Sequence, residues 1–258
     1  MASRLANQWV LITGASSGFG AAAARLFAAE GCNLLLGARR VARLEEVAAQ
    51  ARTAGAPQAW AHALDVTRTA SVEAFTQWAR SRTSRVDVLV NNAGGALGKD
   101  NVANAKDEDI EFMLQANVHG VLRVTRAVLP LMLPHQAGTI INIGSIAGRV
   151  AYEGGAAYCA AKAGELAVTR ALRLELNGTN IRVATVDPGF AETEFSLVRF
   201  KGDAAKAGAV YTGMIPLTAE DVAEAIVWVA GRPPHVCIDE MVIKPTDQAA
   251  IHKVHRRM

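Results

Sequence analysis

Cysteine is scarce in this chain: Cys32, Cys159 and Cys237 are the only three, far apart and with no Cys-x-x-Cys pair. That argues against a disulfide framework and a zinc–thiolate site and fits a reducing compartment such as the cytoplasm. The histidines show no paired spacing either, so no metal site is expected. Aromatic residues are sparse at 5%, while Ala, Val, Leu and Gly abound. Small side chains of this kind suit close packing of helices on a sheet. No charge dominates: 27 basic and 24 acidic residues leave a net +3. That is too mild for a nucleic-acid surface. The basic cluster His252, Lys253, His255, Arg256 and Arg257 reads as a solvated tail. No apolar run is long enough to span a bilayer, and none precedes the first strand as a signal peptide would.

What the chain does have is a large apolar share, 51% hydrophobic against 20% charged, over 258 residues. One α/β domain can fill that length, and residues 1–258 are read as a single domain. Apolar runs at 9–13, 33–36, 58–64, 86–90, 139–143, 181–186 and 236–243 predict strands. Helical patterns fall at 20–30, 41–54, 71–82, 107–133, 156–176 and 218–230, with Ser71 and Thr218 as caps. Alternation of this kind predicts a Rossmann-type, doubly wound parallel sheet of about seven strands with helices on both faces. Ligands of such sheets bind beyond the carboxyl ends of the strands. Gly14, Arg39, Asp65, Asn91, Ser145 and Pro188 all fall there.

The stretch SIAGRVAYEGGAAYCAAK, from Ser145 to Lys162, carries the chemistry. Tyr158 and Lys162 stand four apart in an Ala-rich run, so a helix puts phenol and ammonium on one face. A neighbouring cation favours the phenolate, and such a tyrosine can exchange a proton with an alcohol or carbonyl oxygen. Cys159 points elsewhere and has no evident His partner. A hydride carrier is the missing half. Gly14, Ser16, Ser17, Gly18, Phe19 and Gly20 lie in a glycine-rich strand-to-helix loop, a cradle for a pyrophosphate. The second strand ends Gly37-Ala38-Arg39-Arg40, without the acid that holds an NAD ribose. Arg39 and Arg40 suit a 2′-phosphate instead, which predicts NADP(H).

Together these motifs resemble the classical short-chain dehydrogenase/reductase family. The resemblance rests on Thr13 to Gly20 (TGxxxGxG), Asn91 to Gly94 (NNAG), Asn117, the Ser145/Tyr158/Lys162 set, and Pro188-Gly189. It implies that Tyr158 is general base or acid, that Lys162 lowers its pKa and holds the nicotinamide ribose, and that Ser145 binds the substrate oxygen. It implies that Asn117 holds a relay water behind Lys162. Asn92, Ala93 and Gly94 would line the cofactor, Asp65 and Val66 would flank the adenine, and Pro188, Gly189, Phe190 and Thr193 would complete the cofactor site. A homotetramer is implied as well. Thr193-Glu194-Phe195 and Val198 to Asp203 look similar to the NADP-dependent 3-hydroxy acid dehydrogenases, a subgroup acting on serine and short 3-hydroxy acids.

A hydroxy acid carries a carboxylate, and Arg149 and Arg199 are the candidates to bind it, with Lys201 nearby. Alternatives are a reductase of another carbonyl, such as a ketone or 3-oxoacyl thioester, and a non-catalytic NADP-sensing regulator. The intact Ser145, Tyr158 and Lys162 argue against the last.

Overall fold

In the computed structural model, which describes residues 3–257, the strands and helices alternate from β1 (Trp9–Thr13) onwards. Met1, Ala2 and Met258, at the ends of the expected domain, lie outside the described residues. After β1 come α1 (Gly18–Ala29), β2 (Asn33–Ala38), α2 (Val41–Ala54), β3 (Ala59–Ala63), α3 (Thr69–Arg80) and β4 (Val88–Asn91). Then follow α4 (Asp107–Leu114), α5 (Gly120–Val128), β5 (Gly138–Ile143), α6 (Ala156–Glu175) and β6 (Ile181–Pro188). The chain closes with α7 (Glu194–Arg199), α8 (Ala204–Ala209), α9 (Ala219–Ala230), β7 (Glu240–Ile243), β8 (Gln248–Ala250) and β9 (Lys253–Val254).

Seven strands form one sheet in the order β3-β2-β1-β4-β5-β6-β7, every pair parallel. The side-chain period of two sends alternate residues to opposite layers. Val10 and Ile12 pack with α1, α2 and α9, whereas Leu11 faces the layer built by α3, α5 and α6. The inner strands β1, β2, β4, β5 and β6 are buried on both faces, which is why they read as apolar runs, whereas the edge strands β3 and β7 are only partly covered. The order reverses direction around β1 and β4, and the crevice at their carboxyl ends is where such a sheet receives ligands.

Several local expectations are corrected. The helix read over 107–133 is broken: α4 gives way to a π turn at Gln115–His119 before α5, and Leu129–Leu131 and Leu133–His135 are 3-10 turns. Asn117 Nδ2 donates to the Met113 carbonyl at 2.7 Å, the acceptor that the α ladder gives the Asn117 amide, and the backbone widens there. Pro130 and Pro134 start the 3-10 turns because they lack an N–H. Ser71 does not cap α3 but lies in its first turn, and its hydroxyl accepts the Asp65 N–H at 2.9 Å. Thr218 does cap α9, in a reciprocal box with Asp221. The basic tail is exposed, as expected, but it is tied down at its end. Arg257 pairs with Asp247 at 2.7 Å, its N–H bonds Gly213 at 2.6 Å, and Arg256 donates to the carbonyls of Val210 and Thr212.

A row of buried polar side chains crosses the sheet beneath the strand ends. Asn91 on β4 donates to Asn142 on β5 at 2.9 Å and to Thr125 on α5 at 3.0 Å. Asn142 then donates to Thr169 on α6 at 2.8 Å. Asn91 thus braces the sheet end rather than facing the crevice.

Candidate active site

The first loop leaves β1 at Gly14, whose φ of 65° belongs to the left-handed region. A Cβ there would lie 2.8 Å from the Ala93 backbone, and one at Gly20 would lie 2.6 Å from the Gly14 carbonyl oxygen. The loop is pressed on itself and on the end of β4, so only glycine fits. Asn92 locks this contact by donating to Thr13 O at 2.9 Å, and Thr13 Oγ1 accepts the Ala93 N–H at 2.9 Å. Ser17 sits at the N-cap of α1 without capping it. Its hydroxyl instead accepts from Arg40 Nη2 at 2.5 Å. The first-turn amides of α1 therefore lack a side-chain cap and border the cleft.

That cleft, of ≈340 Å³, is lined by Gly14, Ser16, Gly18, Phe19, Arg39, Asp65, Val66, Ala93, Gly94, Tyr158 and Lys162 among others. Arg39 and Arg40, adjacent in sequence, do different things. Arg40 is spent on Ser16, Ser17 and, at 2.8 Å, on Glu194 of α7; Arg43 takes the other Glu194 oxygen at 2.6 Å. These arginines, Arg40 first, hold the Glu194 carboxyl below its usual range. Arg39 has no carboxylate partner among the described residues and stands 6.0 Å from the Phe112 ring centre. Asp65 lines the cleft but closes a turn through Oδ1, which accepts from Thr67 N at 3.0 Å and Thr67 Oγ1 at 2.7 Å.

A second cavity, of ≈400 Å³, adjoins the first and shares Phe19, Gly144, Tyr158, Thr193 and Phe195 with it. Its walls include Ser145, Pro188, Gly189, Phe190 and Arg199. Sequence reasoning did not single out Tyr152, Tyr211, Gln248 or Ile251, which complete it. These come from the 146–155 turn, the 210–213 turn and the β8–β9 hairpin, and carry no local pattern that marks them. Gln248 Oε1 accepts the Phe190 N–H at 2.8 Å, fixing the turn after β6. Thr193 caps α7 through its hydroxyl, which accepts the Phe195 N–H at 3.1 Å.

Tyr158 stands where the two cavities meet. It projects from α6, one turn before Lys162, and both are buried at 8% and 7% exposure. Lys162 Nζ donates to Ile143 O, at the end of β5, at 2.6 Å. Ser145 follows β5 and caps the turn at Ile146–Gly148, its hydroxyl accepting the Ala147 N–H at 3.1 Å. Burial works against the expected acidification of the phenol. Desolvation pushes the Tyr158 hydroxyl up to about 12, against the opposing pull of the Ser145 hydroxyl and Arg199. Desolvation likewise lowers Lys162, while Glu165 and Asp187 raise it. Asn117 uses its amide on Gly95 O at 2.8 Å and Met113 O, and Oδ1 accepts the Gly95 N–H at 3.2 Å. A Cβ on Gly94 would lie 2.5 Å from Asn117 Oδ1 and 3.9 Å from Lys162 Nζ, so both polar groups press on Gly94.

The two candidate arginines part company. Arg149 does not reach the second cavity: Nε donates to Asp187 Oδ2 at 2.6 Å and Nη2 lies 2.8 Å from Glu240 Oε2. Its charge is already neutralised, which removes it from the substrate candidates. Arg199 lines the cavity, donates through Nε to Gly98 O at 2.9 Å, and pairs with no carboxylate among the described residues. Lys201 is taken by Asp109 at 2.7 Å.

Comparison with known proteins fits this arrangement. Residues 8–202 match the short chain dehydrogenase family. The chain is 41% identical over 256 residues to an NADP-dependent 3-hydroxy acid dehydrogenase of Schizosaccharomyces pombe, covering 99% of both. It is 43% identical over 241 residues to a sulfoacetaldehyde reductase of Chromohalobacter salexigens, covering 93% of this chain and 94% of that one. Among solved structures, the closed form of a serine dehydrogenase complexed with NADP+ superposes with a TM-score of 0.90 at 40% identity, covering 97% of this chain and all of that one. With a glycine loop, a Tyr–Lys helix and a doubly wound sheet in this order, the chain is an oxidoreductase belonging to the short-chain dehydrogenase family.

Proposed function

We propose that this enzyme transfers a hydride between NADP(H) and short 3-hydroxy acids or their 3-oxo counterparts, of the serine, L-allo-threonine and 3-hydroxypropionate/malonic semialdehyde type. The observation that carries the substrate class is Arg199: a guanidinium with no carboxylate partner, beside Tyr158, in a cavity otherwise largely apolar. A carboxylate on the substrate would complete it through a charge-assisted pair.

The cleft fits NADP(H). The uncapped amides of α1 suit the pyrophosphate, β2 ends without an acid, and Arg39 is free for the 2′-phosphate. When bound, the cofactor supplies or accepts the hydride. The chain's own residues do the rest. Tyr158 gives its proton to the carbonyl oxygen in reduction and takes it back in oxidation. Lys162 favours the phenolate by its charge. Ser145 donates to the substrate oxygen and stabilises charge developing there. Asn117, across Gly94 from Lys162, offers the remaining lone pair of Oδ1 to a relay water. The reading includes assembly as a homotetramer, which analytical ultracentrifugation would check.

The aromatic and aliphatic lining by Phe190, Phe195, Phe200, Tyr211 and Ile251 favours a second reading, a reductase of a bulkier ketone or 3-oxoacyl thioester. NADP+ reduction followed by absorbance separates the two. The panel is L-serine, D-serine, L-allo-threonine, 3-hydroxypropionate, 3-hydroxyisobutyrate and a secondary alcohol lacking a carboxylate. Turnover confined to the acids supports the first reading; turnover of the neutral alcohol alone rejects it.

A further inference from the structure

Beside Lys162 lies a buried acid that this chemistry leaves unused. Glu165 follows Lys162 on the same face of α6, three residues on, and is only 1% exposed. Its Oε1 accepts the Thr169 hydroxyl at 3.0 Å, whereas Oε2 is buried with no hydrogen-bond partner among the described residues. A carboxylate in that setting is costly to ionise without a compensating cation.

The charged groups around it are few. From α6 come Lys162, Tyr158 and, further along, Arg170. From β6 comes Asp187, 1% exposed, whose Oδ1 accepts the Thr185 hydroxyl at 2.6 Å. Asp187 Oδ1 lies so close to the backbone of Gly144, next to Ile143, that a Cβ on Gly144 would meet it at 1.9 Å. From the turn after β5 comes Arg149, bound to Asp187 and Glu240; from β7 comes Glu240, which Arg170 also holds at 2.7 Å. Arg199 faces Tyr158 from α7. Arg149 is thus committed to two acids, and Arg170 to one of them. The cation left for Glu165 is Lys162, whose ammonium has one protein hydrogen bond among the described residues, to Ile143 O.

We propose that Glu165 is a positioning residue that keeps Lys162 cationic inside the protein, with Asp187 as the second acid of the same cluster. Burial alone drives Lys162 towards the neutral amine, and Glu165 is the first of two groups opposing it. In the reverse direction, Lys162 is the leading group favouring ionised Glu165 against its burial. On balance burial leaves Lys162 below and Glu165 above its ordinary value, so the charge of each depends on the other. The inference rests on the reading in which the charge of Lys162 favours the Tyr158 phenolate.

The test is an NMR titration of the Lys162 side chain in the intact protein, with the resonance assigned through Lys162→Met. Glu165→Gln, close in shape but without charge, is expected to lower the Lys162 midpoint by about one pH unit or more. Glu165→Asp is expected to restore part of the shift. An unchanged midpoint in Glu165→Gln overturns the proposal. The reciprocal measurement keeps Glu165 in place: in Lys162→Met its carboxyl resonance must titrate at higher pH than in the wild type, and no movement also overturns the proposal. The alkaline limb of the oxidation rate distinguishes the two levels of inference. If the Lys162 midpoint falls in Glu165→Gln while that limb stays fixed, the role given to Lys162 fails and the Glu165–Lys162 pairing stands.

Discussion

The Arg199 guanidinium lies 5.7 Å from the ring centre of Tyr158 and 5.6 Å from that of Tyr152. One cation is thereby held against two phenols, one of them at the junction of both cavities. A charge in that place can act on a bound acid and on the titration of Tyr158 at once. Arg199→Ala is expected to raise KM for a 3-hydroxy acid about 10- to 100-fold, the loss of one charge-assisted bond of about 1.5–3 kcal/mol. KM for a neutral alcohol should stay within about twofold. Equal changes for both would remove the carboxylate assignment.

The same charge predicts a pH effect. Arg199 pulls the Tyr158 phenol down against its burial. In the role proposed for Tyr158, oxidation needs the phenolate, so its rate should climb as pH rises towards the phenol's pKa. Without Arg199 that pKa rises, and the climb moves to higher pH. Reduction uses the protonated phenol and should be flat through neutrality. Tyr158→Phe should abolish turnover in both directions while NADP(H) still binds, as fluorescence titration would report.

Arg39 and Arg40 should separate on substitution. Arg39→Ala is expected to weaken NADP(H) about 10- to 100-fold and NAD(H) far less, because only the former carries the 2′-phosphate. Arg40→Ala breaks contacts with the glycine loop and with Glu194 of α7, so it should weaken both cofactors. Calorimetric titration with each cofactor checks the contrast, and equal losses in Arg39→Ala would sink it.

Glu240 gives a stability prediction. Arg170 first, and then Arg149, hold its carboxyl down to about 2, from an ordinary 4.5. A depressed carboxyl contributes stability above its unfolded value and loses it as pH falls through the folded one. Glu240→Gln should cost about 1 kcal/mol at neutral pH after allowance for solvent screening. The difference from wild type should fade between pH 4.5 and about 2. Melting temperatures across that range provide the check.

Gly144→Ala should be among the harshest single-methyl changes. The added carbon would overlap Asp187 Oδ1, which the Thr185 hydroxyl and Arg149 fix in place. A loss of about 3 kcal/mol is expected, measured by urea unfolding. A well-folded variant of normal stability would show that Asp187 moves more freely than its contacts imply.

Much of this architecture was legible in the residues. Strands buried on both faces appear as apolar runs, and glycines mark the turns where backbone meets backbone. The bounds of α2 follow directly from its pattern and from Gly55 after it. Local periodicity does not register competition from a side chain, so the pattern gives plain helix where Asn117 makes a π turn. Spacing put Tyr158 and Lys162 on one face, but spacing says nothing about desolvation, which dominates the phenol. The ion pairs of Arg149 and the anchoring of the exposed basic tail are hidden from the sequence for one reason. Their partners, Asp187 and Glu240 for the former, Asp247 and the 210–213 carbonyls for the latter, are distant in sequence or reached only through a turn.

The buried row Thr125–Asn91–Asn142–Thr169 has a consequence for how the sheet is assembled. Asn91 and Asn142 are paired in register on β4 and β5. A slip of one residue would turn one amide to the opposite face and leave the other buried without its partner. A slip of two would seat Asn91 against an isoleucine, Ile140. The row thus works as a proofreading step: misaligned strands forfeit several hydrogen bonds at once, and only the alignment that brings α5, β4, β5 and α6 together is retained.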